Sequence, residues 1–551
     1  MGKTAASYQK LRGGYYTPKA IADFLAKWAI QSPTSRILEP SCGDGALLVS
    51  ALQRMVDLGS SINSANELIH GVEIDPIEAQ TAIQRLTSLV DLPNYPNIHV
   101  GDFFSYCQTH LINHKTFDAV IGNPPFIRYQ NFPEEHRAIA FHLMHNAGLR
   151  PNRLTNAWVP FLVAATQLLS SHGRLAMVIP AELLQVKYTA ELRRFLSDAY
   201  NHITLITFKK LVFEGIQQEI VLLLGERNGS KSTGIRTIEL EDANDLHAYD
   251  HDALIDSPLK EMDHTTEKWT MYFLEKEEIH LLRKLREHPG LTRAGHVLDV
   301  DVGVVTGLNE FFVLTAQQVE DLNLSAYTRP LVGRSGHLQG TIFQEADWRT
   351  NAENQLPSFL LDAPDQPFEQ LPEQLKSYIA RGEANGANLG FKCRIRNRWY
   401  IVPSVWNPDA FMLRQIHSYP KIVLNQAAAT STDTIHRVRL RNGIPAPMIA
   451  AAFLNSLTFA FAEIIGRSYG GGVLELEPNE AEMLPIPLQG AERLDIQYLD
   501  TLLRKNDIES VLNITDRVLL AGGLGLGGQD IQLLRSIWKK LRNRRTNRKH
   551  R

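Results

Sequence analysis

Cysteine is nearly absent from this chain. Three occur in 551 residues, Cys42, Cys107 and Cys393, and none forms a CxxC pair. That argues against a disulfide framework and a cysteine-rich zinc site, so no metal is expected, and it fits a reducing, cytoplasmic setting. Long apolar runs are also missing: none approaches the roughly 20 residues that span a bilayer, so no membrane partner is expected. The opening residues, MGKTAASYQKLRGG, lack the apolar core of a secretory signal. Net positive charge is absent as well, the formal balance being −3. That average hides a segregation. Residues 535–551 carry nine Lys or Arg and no acid, and removing those nine charges leaves −12 on the rest. Any face that binds a polyanion must therefore be a local basic patch on an acidic body.

What is present is an ordinary globular composition, 44% hydrophobic and 21% charged, in a chain too long for one core. The first half alternates strand-like and helix-like segments. Residues 18–31 put Ile21, Phe24, Leu25, Trp28 and Ala29 on one helical face. Short apolar strands are expected at 36–39, 69–74, 97–100, 117–122 and 174–179, with a helical stripe of Trp158, Phe161, Leu162, Ala165, Leu168 and Leu169 before the last. Segments 203–208 and 219–224 lie close enough to form an antiparallel edge. Such alternation predicts a Rossmann-like α/β fold, a mostly parallel sheet covered on both faces, with ligands at the carboxyl ends of its strands. After Gly225 the texture turns polar, and GERNGSKSTG reads as a linker. From about 290 to 490 the pattern is irregular, as in a mixed α+β domain. The end reads as a helix with Leu534, Ile537, Trp538 and Leu541 on one side, running into a basic tail.

Each motif falls at an expected strand end. In ILEPSCGDGALL, Gly43 and Gly45 let backbone approach a ligand, and the following helix offers free N–H groups. In GVEIDP, Glu73 can accept two ribose hydroxyls; as a lone residue it reads better as a solvated strand end, and only the succession of acid-bearing strand ends favours the ligand. In GDFF, Asp102 can accept from an adenine amine while Phe103 packs on the ring. Glu39, Asp44, Glu73 and Asp102 crowd this region and no Walker-type Lys follows the glycines, so a cationic ligand such as S-adenosylmethionine suits it better than a phosphate-rich one.

The sharpest signal is FDAVIGNPPFIRYQ. Asn-Pro-Pro-aromatic arises by chance in about 1 of 200 chains of this length. An exocyclic amine on adenine is a poor nucleophile because its lone pair is delocalised. The Asn123 side-chain oxygen and the Pro124 carbonyl can each accept one of its N–H groups, and Pro124 and Pro125 hold those acceptors rigid. Phe126 offers a stacking face for an extruded base.

With these residues in order, the chain resembles the TaqI-like (γ-type) adenine-N6 DNA methyltransferases of restriction–modification systems, over most of its length. YYTPKAIADFL looks like the family's amino-terminal cofactor motif, with Thr17 and Pro18 at the methionine end. EPSCGDG, with Glu39, Pro40 and Gly43, looks like the glycine motif; GVEIDP, with Glu73 and Ile74, like the ribose motif; GDFF like the adenine motif. NPPF looks like the catalytic one, Asn123 also bordering the cofactor. LVFEGIQQEIVLLL resembles the segment whose aromatic, here Phe213, lies against the target base. The resemblance implies S-adenosylmethionine as cofactor, double-stranded DNA as substrate, and a cognate restriction endonuclease as a functional partner that is not a stable subunit. It divides the chain into a catalytic domain (1–228), a connector (229–289), a DNA target-recognition domain (290–490) and a helical carboxyl-terminal segment (491–551). Two departures stand out: Phe126 where the family often has Tyr, and a spacing from Glu39 to Glu73 longer than about twenty residues, implying an inserted turn or helix extension. VGVVTGLNEFF and RSYGGGVLELEP also look like segments of the family's carboxyl-terminal half.

Two alternations supply candidate DNA contacts. FKCRIRNRWY is expected as a strand with Lys392, Arg394, Arg396 and Arg398 on one face, and HRVRLRNG places Arg437, Arg439 and Arg441 likewise. Each stripe alone equally suits a solvated strand face. Other readings are a methyltransferase acting on a protein glutamine or an RNA base, which usually lacks so large a second domain, and a catalytically idle DNA-specificity module, which the intact Asn123–Phe126 motif argues against.

Overall fold

Strands buried on both faces need apolar residues on both, and the computed structural model shows that arrangement in the amino-terminal half. It describes residues 16–90, 97–111, 117–213, 219–230, 232–249, 251–263, 267–441, 443–469 and 471–547. The chain divides into two compact units, one running through Lys276 and one spanning Glu277–Thr546.

The first unit is built on an eight-stranded sheet. Its strands are β1 (Ile37–Glu39), β2 (Ile69–Glu73), β3 (Ile98–Val100), β4 (Phe117–Gly122), β5 (Leu169–Pro180), β6 (His202–Phe208), β7 (Ile220–Glu226) and β8 (Gly234–Leu240). Their order is β3-β2-β1-β4-β5-β7-β6-β8, and β7 alone runs against its neighbours. The core strands are nearly continuous apolar runs because helices cover both faces. The helix Lys19–Ala29 buries Ile21, Phe24, Leu25, Trp28 and Ala29 as its periodicity requires. The helix Trp158–Leu168 is buried on almost every side, which its uniformly apolar sequence reflects. The long spacing between Glu39 and Glu73 is filled by a separate helix, Ile62–Leu68.

Two expectations about this unit are corrected. Segments 203–208 and 219–224 do pair antiparallel, but β7 lies between β5 and β6 and the sheet edge is β8. That strand falls inside 229–289, the expected connector. GIRTIEL mixes Arg, Thr and Glu with its apolar residues because an edge strand is only half covered, and it reads from sequence as a polar stretch.

The second unit holds a five-stranded mixed sheet whose order is Leu298–Val302, Ile435–Leu440, Ala410–Leu413, Ile422–Asn425 and Ile342–Phe343. A smaller sheet combines Val313–Leu314, Phe359–Leu361, Thr328–Val332 and Thr430–Ser431 around its own apolar cluster. Residues 491–546, expected as a separate segment, belong to this unit. Asp500 accepts the Thr341 and Ile342 N–H groups at 2.7 and 2.8 Å, and the helix Gly528–Thr546 buries Leu534, Ile537, Trp538 and Leu541. Part of the basic tail is structural too: Arg545 is buried against Glu463 at 2.8 Å and donates to the Gly472 carbonyl. Among the described residues no single helix is long and apolar enough to cross a membrane. Tyr15, 214–218, Gly470 and the tail from 548 onward lie outside the described residues.

Candidate active site

The carboxyl ends of β1, β2, β3 and β4 surround one cavity of about 470 Å³. The chain turns out of β1 through Pro40–Gly45 and enters the helix Ala46–Asp57. Gly45 sits at φ +82°, and a Cβ there would lie 2.9 Å from Ala82 Cβ, so neither the backbone nor the packing admits a side chain. Gly43, at φ +52°, has open space where its Cβ would be and borders the cavity. Of the expected cofactor residues, Thr17, Glu39, Pro40, Gly43, Glu73, Ile74, Asp102, Phe103 and Asn123 all line this cavity. Pro18 does not; it precedes the first helix, and its carbonyl accepts the Ile21 and Ala22 N–H groups.

The acidic residues differ in how they are held. The Glu73 carboxylate accepts the Gly43 and Asp75 N–H groups, each at 2.8 Å, which fixes it on the wall at the end of β2. Asp44 faces Arg85 at 2.8 Å. Asp102 caps the short helix Phe103–Tyr106 by accepting the Ser105 N–H and hydroxyl at 2.9 Å, while its other oxygen lies 3.3 Å from His136 Nδ1. Glu39 is the exception. It is 2% exposed, and its Oε2 has no hydrogen-bond partner among the described residues. Burial, then the neighbouring Asp44 and Glu73, push its carboxyl well above the ordinary carboxylate range. A buried acid with an orphaned oxygen and two acidic neighbours is a seat for a cation.

Apolar residues line the same cavity and form a slot. Ile74 is 54% exposed at its rim, and Phe103 is buried and stacked on Phe161 at 5.2 Å with ring planes 10° apart. Phe132 and Pro133 also line it. The slot suits a flat heteroaromatic ring, and Asp102 and His136 stand among its lining.

At the end of β4 the Asn-Pro-Pro-Phe turn reaches the same cavity through Asn123 and Pro125; Pro124 is buried and Phe126 is not part of the lining. The Asn123 Nδ2 donates to Thr17 Oγ1 at 3.2 Å, and Ser41 Oγ donates to the Asn123 carbonyl at 3.4 Å. Because the amide is planar, anchoring its nitrogen sets the direction of its oxygen. Phe126 packs against the core cluster to which buried Phe213 belongs.

The chain is similar to known proteins. Residues 1–287 match the family model "N-6 DNA Methylase", and residues 266–520 match that of the type II methyltransferase M.Eco57I C-terminal domain. The chain belongs to the N-6 DNA methylase family. It is an adenine-specific DNA methyltransferase of restriction–modification type. The type II methyltransferase M.AccI of Acinetobacter calcoaceticus is 21% identical over 538 residues, covering 93% of this chain and 94% of its own. M.XamI of Xanthomonas campestris pv. amaranthicola is 23% identical over 490 residues, covering 86% and 85%. In fold, the chain is similar to the type IIL restriction–modification enzyme MmeI, solved with DNA, with a TM-score of 0.60 at 11% identity over 96% of this chain and 75% of that one.

In this methylase the backbone beyond the Asn-Pro-Pro-Phe turn is clamped by residues the sequence did not single out. Asn156 Oδ1 accepts the Tyr129 N–H at 3.1 Å, and the Ala157 N–H donates to the Ile127 carbonyl at 2.9 Å. The Asn156 Nδ2 in turn donates to Glu182 Oε2 and to the Tyr188 oxygen, both at 3.2 Å. The Tyr188 hydroxyl donates to the same carboxylate at 2.5 Å, and burial together with that carboxylate pushes its pKa up. Phe161 and His136 were also missed as lining residues. Phe161 reads as one more apolar position of a core helix, and only the crossing of that helix over the strand ends brings it to the slot.

The expected DNA stripes fare differently. Residues 391–400 form no strand: Phe391–Arg394 is a short helix, so Lys392, Arg394, Arg396 and Arg398 do not share a strand face. Arg396 is turned inward, donating to the Val305 and Thr306 carbonyls at 3.0 and 2.7 Å, and Arg398 pairs with Asp365. Lys392 and Arg394 are exposed. Arg437 does lie on a strand, but its side chain is 3% exposed. It donates to the Val302 and Ser404 carbonyls, faces Asp301 at 3.3 Å and lies 4.5 Å from the Trp406 ring. The reason is the neighbouring strand, LDVDV, whose Asp301 and Asp299 stand opposite Arg437 and Arg439. Arg437 is thus a structural cation, not a phosphate contact.

Proposed function

We propose that this methylase draws its methyl group from S-adenosylmethionine and places it on the N6 amine of an adenine rotated out of double-stranded DNA, a separate cognate endonuclease cleaving the unmodified sequence. What supports the reading most is that Asn123 lines the same cavity as the orphaned carboxylate of Glu39. When bound, the cofactor supplies a methyl activated by attachment to a sulfonium. Glu39 would receive its cationic methionine portion, which would give Oε2 a partner; Glu73 would accept the ribose hydroxyls, and Ile74, Phe103 and Asp102 would hold the ring and its amine.

The chain's own catalytic work falls to Asn123 and Pro124. The Asn123 Oδ1 and the Pro124 carbonyl accept the two N–H groups of the target amine, which favours a pyramidal nitrogen with its lone pair available for attack. The N–C bond forms as the S–C bond breaks, leaving a neutral thioether, and the surplus proton then passes to solvent, so no strong base is needed. Thr17 and Ser41 hold Asn123, and the two prolines fix φ, so the acceptors need no rearrangement during transfer. Phe126 and Phe213 supply faces for the extruded purine, which requires them to leave or share the packing they make in the free protein.

Full-length protein incubated with labelled S-adenosylmethionine and unmethylated duplex DNA should yield N6-methyladenine on nucleoside analysis. Asn123→Ala should reduce transfer by about 10²–10³-fold while cofactor affinity is retained, and Phe126→Ala should reduce it less. Equal turnover by Asn123→Ala refutes the assigned role. Absence of N6-methyladenine from every duplex tested, or a demonstrated protein or RNA acceptor, refutes the proposal.

A further inference from the structure

The segment expected to be a basic strand presents something else to solvent. Leu389, Phe391 and Ile395 are 71%, 64% and 61% exposed, three large apolar side chains within seven residues. Lys392 and Arg394 lie between them, are exposed, and make no ion pair or side-chain hydrogen bond with the described residues. Apolar side chains so exposed cost solvation, and such a cluster marks a surface that meets a partner.

The segment is also rigidly mounted. Cys393 is fully buried, Tyr400 nearly so, and both belong to the cluster beneath the small sheet of the second unit. Arg396 grips the Val305 and Thr306 carbonyls and lies 5.5 Å from the Phe312 ring. A Cβ on Gly307 would come within 2.7 Å of Lys392 Cβ, so the neighbouring loop is pressed against the helix. Buried anchors therefore hold an apolar tip outward, flanked by two uncompensated cations.

We propose that Leu389, Phe391 and Ile395 form a wedge that inserts into the base stack of duplex DNA, with Lys392 and Arg394 on the flanking phosphates. The proposal rests on the reading that this chain modifies DNA. Charge complementarity selects the occupant: a second copy of this chain carries its −12 body charge as scattered carboxylates beside a nine-cation segment, whereas a duplex offers a continuous polyanion around a stack that apolar side chains can open. Phe391, on the first turn of the helix, is the wedge's aromatic and can stack on an unstacked base.

The test uses the full chain and PCR-made duplexes, titrated over a range of salt. Phe391→Ala should weaken binding about tenfold at every salt concentration, leaving the slope of log affinity against log salt unchanged. Lys392→Ala with Arg394→Ala should flatten that slope by roughly 1.8, the release of two phosphate contacts. Thymines made permanganate-reactive by the wild-type protein should be protected again with Phe391→Ala. Because Phe391 is exposed, thermal unfolding should be unchanged, which separates the effect from misfolding. Unaltered affinity and permanganate pattern in Phe391→Ala overturn the wedge, as does a change in sedimentation with DNA binding intact, which would assign the patch to contact between copies. Methyl transfer by the wild type is measured in parallel. Transfer without a wedge effect removes only this inference, and absence of transfer removes the reading beneath it.

Discussion

Glu39→Gln should make the cofactor-free protein more stable at neutral pH and yet weaken cofactor binding. The carboxyl is 2% exposed, one of its oxygens has no hydrogen-bond partner among the described residues, and burial with Asp44 and Glu73 raises its pKa well above the ordinary value near 4.5. The folded state thus holds this proton more tightly than the unfolded chain does. Stability contributed by the site is present below the unfolded pKa and falls as pH rises toward the folded value, by about 1.4 kcal/mol per pH unit for one proton. Glutamine keeps the shape without the titration. Thermal unfolding from pH 4.5 to 8 should therefore show wild type and variant close together in acid and diverging above, the variant gaining about 1–3 kcal/mol by neutrality. Subtracting the two curves cancels the contributions of other groups. A cation beside Glu39 reverses the preference, so S-adenosylmethionine should bind wild type more tightly as pH rises, with proton release. In the variant its Kd should be about 10–100-fold weaker with little pH dependence, the loss of a charge-assisted contact. Parallel unfolding curves, or equal cofactor affinity, would refute the reasoning.

Three further outcomes follow from other contacts. Asn156→Ala should lower kcat by about 10–100-fold with cofactor Kd unchanged, because the Tyr129 backbone loses its anchor next to the Asn-Pro-Pro-Phe turn; Asn156→Asp should not rescue it, since a second carboxylate would face Glu182. Gly45→Ala should cost about 1–3 kcal/mol in thermal unfolding and raise the cofactor Kd, given φ +82° and the 2.9 Å approach to Ala82. Glu463→Ala, which leaves Arg545 buried beside only the Gly472 carbonyl, should lose about 3–5 kcal/mol in denaturant unfolding, more than Arg545 and Glu463 lose when both are replaced by apolar residues.

Local sequence was enough to reveal the parallel sheet and the strand ends that bear Glu39, Glu73, Asp102 and Asn123. Each apolar run is short, each is followed at once by its glycine, acid or Asn-Pro-Pro turn, and the alternating helices force the strands to run in the same direction. Their convergence on one cavity is then a consequence of topology. What the residues alone could not convey was exposure and pairing across the fold. Arg437 and Lys392 read alike in a row of alternating cations, yet one is buried beside a paired strand carrying Asp301 and Asp299 while the other stands in solvent beside Phe391. Phe161 and Asn156 carry no local mark of function, because their roles come from a helix start crossing above the strand ends. Periodicity records which residues share a face of their own element; only the packing of other elements against that face decides whether a charge there meets water, a carboxylate or a ligand.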